Sequence, residues 1–160
     1  MAAHKAIVSV SASVLPDDMK TSVAGQITYD LNDGPGDDES WVYFANNVNT
    51  VSQAIMADGV QYLGGDAGDE TDTLAASTDN AGFIILKHSG YQGDGTTIST
   101  DNLYFNLVDG MAASAATGNL ILEPGDVWWC RLYEVDIYDI TARAANNTVK
   151  LLIYAIVDDV

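Results

Sequence analysis

A single cysteine among 160 residues, Cys130, excludes any intrachain disulfide. It lies in an apolar run between Trp129 and Arg131, where a buried, unreactive thiol is expected. Only two histidines are present, His4 and His88, far apart in the chain. A histidine-based triad needs a base held against a nucleophile, and nothing in the sequence suggests that pairing. Two histidines and one cysteine also fall short of the roughly four nitrogen and sulfur ligands that zinc takes. Basic residues are scarcer still: six against 23 acidic ones, a net charge of −17. That balance argues against nucleic acid, whose binding requires a basic face to displace counterions, and against anionic membranes. It also suits solubility at high salt. The G-x-S-x-G, G-x-G-x-x-G and Walker patterns are missing. No run reaches the roughly 20 apolar residues of a membrane span. The opening MAAHKAIVSVSAS has no apolar core of signal-peptide length, so synthesis in a cytoplasm without export is expected.

What is present is apolar and turn-rich. Hydrophobic residues make up 48% of the chain, enough for a packed core in one domain spanning residues 1–160. Nineteen of the 23 acids are Asp, a turn former, and four are Glu, a helix former. Period-2 alternation predicts strands at 7–14, 23–31, 83–87, 103–108, 120–122, 127–133, 140–145 and 148–157, with shorter apolar runs at 41–45 and 60–63. Glu123-Pro124-Gly125-Asp126 reads as a type II turn, with proline presetting one corner and glycine taking the positive-φ one. Asn146-Asn147 reads as a two-residue hairpin turn. In that register Ala144 would face Val149, Ala142 would face Leu151 and Ile140 would face Ile153, all on the inner side. Thr50-Val51-Ser52-Gln53 has capping-box spacing, which predicts one short helix over 51–58. Nine or ten short strands make an all-β protein: an antiparallel β-sandwich, jelly-roll-like, with at most one short helix.

The candidate sites are few. Most carboxylates fall in turns, the place of solvated loop groups. Residues 64–72 pack Asp66, Asp69, Glu70 and Asp72 among glycines, and Asp33, Asp37, Asp38 and Glu39 form a similar cluster. Calcium is the one metal such oxygen-rich loops could take, although neither follows the EF-hand order; a charged surface loop with no cofactor is the competing reading. Trp128 and Trp129 are adjacent, so on a strand they face opposite ways. If Trp129 is the outward one, Tyr133 shares its side, and an exposed Trp with Tyr marks a protein interface or a sugar-binding face. In the hairpin register Arg143 and Lys150 would stand opposite each other on the outer face. Two of six cations paired in so acidic a chain suggest an acidic partner surface.

Residues 83–160 resemble the C-terminal half of small β-sandwich virion proteins of tailed bacteriophages, the capsid-decoration (cement) and head-fibre-base type. The likeness rests on an apolar strand with a polar glycine turn (Phe83–Leu86, then Lys87-His88-Ser89-Gly90) and a corner at Leu122, Pro124, Gly125 and Asp126. An aromatic strand, an Ala-rich strand and a final apolar strand follow. The resemblance implies a non-enzymatic structural virion protein with no catalytic residues, most simply an oligomeric decoration protein bound to the outside of the major capsid shell. A homotrimer is expected first and a dimer second. The alternatives are a carbohydrate-binding β-sandwich module and a tail or tail-fibre adaptor.

Overall fold

A computed structural model describes residues 5–10, 25–30, 39–56, 79–107 and 112–158. These form ten strands: β1 (Lys5–Val10), β2 (Gly25–Asp30), β3 (Glu39–Val48), β4 (Gln53–Ala54), β5 (Asn80–Gln92), β6 (Leu103–Asn106), β7 (Leu120–Leu122), β8 (Val127–Asp136), β9 (Thr141–Ala144) and β10 (Val149–Asp158). β1 and β2 pair antiparallel as a ribbon of their own. The other eight build two four-stranded antiparallel sheets, in the orders β3-β10-β5-β8 and β4-β9-β6-β7. Counted from β3, that is first-eighth-third-sixth over second-seventh-fourth-fifth, the strand order of a jelly roll. Except for the step from β6 to β7, each connection carries the chain from one sheet to the other.

The alternation of side chains explains the layering. β10 is central in its sheet, flanked by β3 and β5. Its inner face carries Val149, Leu151, Ile153, Ala155 and Val157, all fully buried. Cross-strand rows extend this face: Val42–Ala155–Ile84–Cys130, and Phe44–Ile153–Leu86–Trp128. The facing sheet contributes Leu103, Phe105, Leu122, Ala142 and Ala144, and Ile55, Met56, Ile137 and Ile140 close the core. Each large aliphatic or aromatic side chain removed from water there contributes about 1.5–3 kcal/mol.

Two turns fix how the sheets join. Asp126 N–H donates to the Glu123 carbonyl at 2.9 Å, and Gly125 takes φ +93°, so the Pro-Gly corner is the turn its residues predict. It leads from β7 in one sheet into β8 in the other. At the end of β5, a Cβ on Gly93 would lie 2.8 Å from Thr148 Cγ2, so a larger residue there must displace the Thr148 side chain where this turn passes the start of β10.

Two local expectations are corrected. Residues 51–56 hold no helix: Gln53–Ala54 is a short strand paired with Thr141 and Ala142, and residues 57–58 lie outside the described residues. The side chains of Ser52 and of the capping-box Gln53 serve other bonds. Gln53 Oε1 accepts from Asn49 N–H and its Nε2 donates to the Asn47 carbonyl, while Ser52 Oγ accepts from Ala113 N–H. The pairing of β9 with β10 is also overturned. β9 pairs with β4 and β6, and β10 with β3 and β5, so Asn146-Asn147 is a crossing between sheets and not a hairpin. Ala142, Ala144, Val149 and Leu151 are nevertheless buried, because each sheet turns its own alternating set inward. The short run at 60–63 lies outside the described residues.

Candidate functional site: the outer face of the larger sheet

The apolar character of β10 does not stop at its inner face. Its other side presents Lys150, Leu152, Tyr154 and Ile156, and three cross-strand rows follow from the register. They are Ile156–Phe83–Arg131, Tyr43–Tyr154–Ile85–Trp129, and Ala45–Leu152–Lys87–Val127, with Asn47 beside Lys150 beyond them. The first row is closed at two of its three positions: Phe83 and Ile156 are fully buried while Arg131 is exposed, and the Phe83 ring lies tilted 6.2 Å from that of Trp129. The next two rows are open. Tyr43 is 52% exposed and Val127 53%. Tyr43, Ile85, Lys87, Val127, Leu152 and Tyr154 line a depression of about 370 Å³. Burial pushes the Tyr154 phenol above its ordinary value, which keeps it neutral.

Basic and acidic positions adjoin on this sheet: beyond the rows named above the register runs on through Glu39, Asp158, Asn80 and Asp136, and Lys150 Nζ lies against the Gly95 turn next to Asp94. Across the thirteen positions named above stand Lys87, Arg131 and Lys150, half of the six basic residues, and no acidic one. The side chains of Lys87 and Lys150 form neither an ion pair nor a hydrogen bond among the described residues. Lys87 stands directly beside the half-exposed Val127, while the more exposed Ile98, Val51 and Tyr138 lie off this face.

The residues singled out from the sequence separate. Trp128 turns inward and packs on the core, whereas Trp129 stands on the outer face next to Ile85, as adjacency on a strand requires. Tyr133 belongs to β8, and its side chain lies outside the described residues. Arg143 and Lys150 do not oppose each other. Arg143 is on the outer face of the smaller sheet, beside Tyr104, which in turn neighbours Ile121. Its Nε is buried without a hydrogen-bond partner among the described residues. Lys150 is on the larger sheet, beside Asn47. Asp66, Asp69, Glu70 and Asp72 lie outside the described residues, as do Asp33, Asp37 and Asp38. Among the described residues no three His, Cys, Asp or Glu side chains are grouped to hold a metal ion.

Tyr43, Ile85, Lys87, Leu152 and Tyr154 escape a reading of the sequence. A strand apolar at both parities reads as covered on both faces. The usable signal was that Lys150, Leu152, Tyr154 and Ile156 alternate without an acid in a chain so rich in them.

A second polar cluster is structural. Asp101, 4% exposed, accepts from Asn146 Nδ2 at 2.8 Å, from Asn147 Nδ2 at 2.7 Å and from Asn147 N–H at 3.1 Å. Burial opposes its charge, but these hydrogen bonds prevail and hold the carboxyl below the ordinary aspartate value. Beside it the buried His88 accepts at Nδ1 from Gly90 N–H, so its proton is on Nε2 and is donated to the Asp101 carbonyl at 2.8 Å. The cluster clasps the β5–β6 connection to the Asn146-Asn147 crossing. Cys130 is half-buried on the inner face of β8, and burial raises its thiol, which suits a packing role.

Among the described residues no helix is long and apolar enough to cross a membrane. Comparison of the sequence with models of known families and with curated proteins finds no match.

Proposed function

We propose that this chain is a non-enzymatic structural protein that acts by docking on other protein surfaces, as a decoration protein on the outside of a tailed-phage capsid. The observation that carries the reading is the open half of the outer sheet face. Exposed aromatic and aliphatic side chains gathered on one sheet have the composition of a protein interface, apolar at the centre with aromatics enriched. Jelly rolls recur in viral capsid proteins, which agrees by analogy with the resemblance of residues 83–160 to phage decoration proteins. Tail and tail-fibre adaptors fall in the same class of docking proteins.

A carbohydrate-binding role is the second reading. Tyr43, Tyr154 and Trp129 share the face, aromatic rings are stacking platforms, and jelly rolls also recur in lectins. One experiment separates the two. Purified chain is co-sedimented with undecorated shells of the phage that encodes it, and separately applied to a glycan array. Saturable pelleting with shells, lost in Tyr43→Asp, is the expected result. Failure to pellet together with selective glycan binding would favour the sugar reading.

A further inference from the structure

We propose that the free edge of β3 is a strand-addition site, which takes an extended segment of a partner protein as a fifth strand of the larger sheet. This rests on the docking reading above and names how a partner engages the chain.

Two bonds fix which way the β3 backbone points. His88 N–H donates to the Asp126 carbonyl at 2.9 Å, so His88 turns its backbone groups toward β8. Direction alternates along a strand. Lys87 and Ile85 therefore turn theirs toward β10, and their partners Leu152 and Tyr154 turn back toward β5. Leu151 and Ile153 are left to face β3, where they meet Asn46 and Phe44. Tyr43, Ala45 and Asn47 must then turn N–H and C=O away from the sheet. The Asn47 carbonyl agrees, since it accepts at 3.3 Å from Gln53 Nε2, which belongs to the other sheet. Gln53 plugs only this end of the edge, its Oε1 taking Asn49 N–H. Tyr43 and Ala45 make no hydrogen bond on that side among the described residues, and both are exposed.

The edge is also unguarded. Proteins blunt an open edge with short length, charge, proline or a bulge. The edge strands β4 and β7 are two and three residues long. β8 carries Arg131 and Glu134, and its register with β5 shifts between Ala81 and Phe83. β3 runs for ten residues in unbroken register with β10, and has no charged residue, proline or glycine between Ser40 and Val48. From Trp41 to Ala45, about five residues at 3.4 Å give roughly 17 Å, the length of an ordinary strand.

That stretch sets the chemistry of its occupant. An added strand would lie about 4.8 Å from β3 and alternate its side chains as β3 does. On the inner side its neighbours are the buried Val42 and the half-buried Phe44, which call for apolar residues. On the outer side they are Tyr43 and Ala45, open to water, which accept polar ones. A chain of −17 disfavours acids in the segment. The occupant is thus an extended run of alternating apolar and polar residues, neutral or basic, held mainly by main-chain hydrogen bonds.

The test is amide hydrogen exchange by NMR on the full chain, free and with a probe peptide. The probe has eight residues, valine and threonine alternating, with a lysine at each end, and is added to about 1 mM. In the free chain the Tyr43 and Ala45 amides should exchange at least about a hundredfold faster than those of Phe44 and Asn46, which bond to β10. The peptide should bind saturably and slow the first two. The same peptide with its internal amides N-methylated should not bind. Ala45→Pro removes an outward donor that no bond within the sheet uses, and should weaken binding at least tenfold. Ala45→Val should leave it intact, and circular dichroism checks that both variants fold. Slow exchange at Tyr43 and Ala45 in the free chain, absence of saturable binding, or equal binding of the methylated peptide would overturn the proposal, and none of these needs a variant. Protection of the edge that appears only as protein concentration rises would make the occupant another β3, and overturn the assignment to a partner segment. Shell binding is scored separately. A chain that takes the peptide and ignores shells keeps this inference and rejects the decoration reading, and pelleting with shells that survives in Ala45→Pro does the reverse.

Discussion

At the scale of single residues, Asp101 shows how a polar side chain can hold two layers together. Three donors converge on one buried carboxylate, and all three belong to the crossing from β9 to β10. An amide there keeps one acceptor oxygen and turns an NH₂ toward groups that also donate. Hydrogen bonds to charged groups contribute about 1.5–3 kcal/mol each, so Asp101→Asn should cost about 2 kcal/mol and lower Tm by about 6 °C. The pH dependence has a definite sign. A carboxyl whose folded pKa is depressed stabilises fully above its unfolded value and loses that contribution as pH falls through the folded one. Asp101 is depressed from 3.8. Asp94 is lowered to about 2 by the Thr97 hydroxyl and the Thr96 and Thr97 backbone N–H groups. Wild type should therefore lose stability below about pH 4, and the gap between it and Asp101→Asn should narrow as pH approaches 2. Melting curves across that range check this; a gap of constant size would mean that the clasp does not depend on the charge.

At the scale of elements, the strands were largely legible and their partners were not. Val149–Val157 alternates strongly, and the Pro-Gly corner carries its own geometry, so β7, β8 and β10 follow from local chemistry. The Asn146-Asn147 crossing does not. Asparagines suit a tight hairpin turn, but these two spend their side chains on Asp101, 45 and 46 residues away, which no local pattern encodes. The helix expected over 51–58 fails for a related reason. The Gln53 side chain of the expected cap is spent on Asn47 and Asn49, and Ile55 N–H donates to the Ile140 carbonyl, so sheet and loop bonds override a local cap. The docking face was half legible: Trp129 followed from adjacency, whereas the rows through Tyr43 and Lys87 need the strand order. Cysteine pairs test that order in a Cys130→Ser background. Asn47→Cys with Lys150→Cys are cross-strand neighbours and should oxidise to a disulfide. Arg143→Cys with Lys150→Cys stand on outer faces of different sheets, about 10 Å apart as layers before counting side chains that point away, and should stay reduced. Cross-linking of the second pair would restore the hairpin and reject the crossing.

At the scale of the whole molecule, a charge of −17 acts on the compact state in two opposed ways as the solution changes. At neutral pH and low salt the carboxylates repel one another through a folded body much smaller than the unfolded coil, so compaction is opposed. Mild acid begins to neutralise surface carboxylates and relieves that repulsion. Stronger acid protonates Asp101 and Asp94, which removes hydrogen bonds made only in the folded state. Tm at about 10 mM salt should accordingly rise from pH 7 to about pH 5, pass through a maximum, and fall below about pH 4. At 150 mM salt the Debye length drops to about 8 Å and most of the repulsion is already screened. The rise should then flatten, while the fall, which comes from bonds about 3 Å long inside the fold, should remain. Calorimetry at both salts, at concentrations low enough to keep the chain monomeric, measures the two limbs independently. If the acid limb disappears with salt along with the neutral one, the stability of this jelly roll is governed by its surface charge and the Asp101 clasp contributes little. If the neutral limb survives at 150 mM, the like charges that oppose compaction lie closer together than the Debye length.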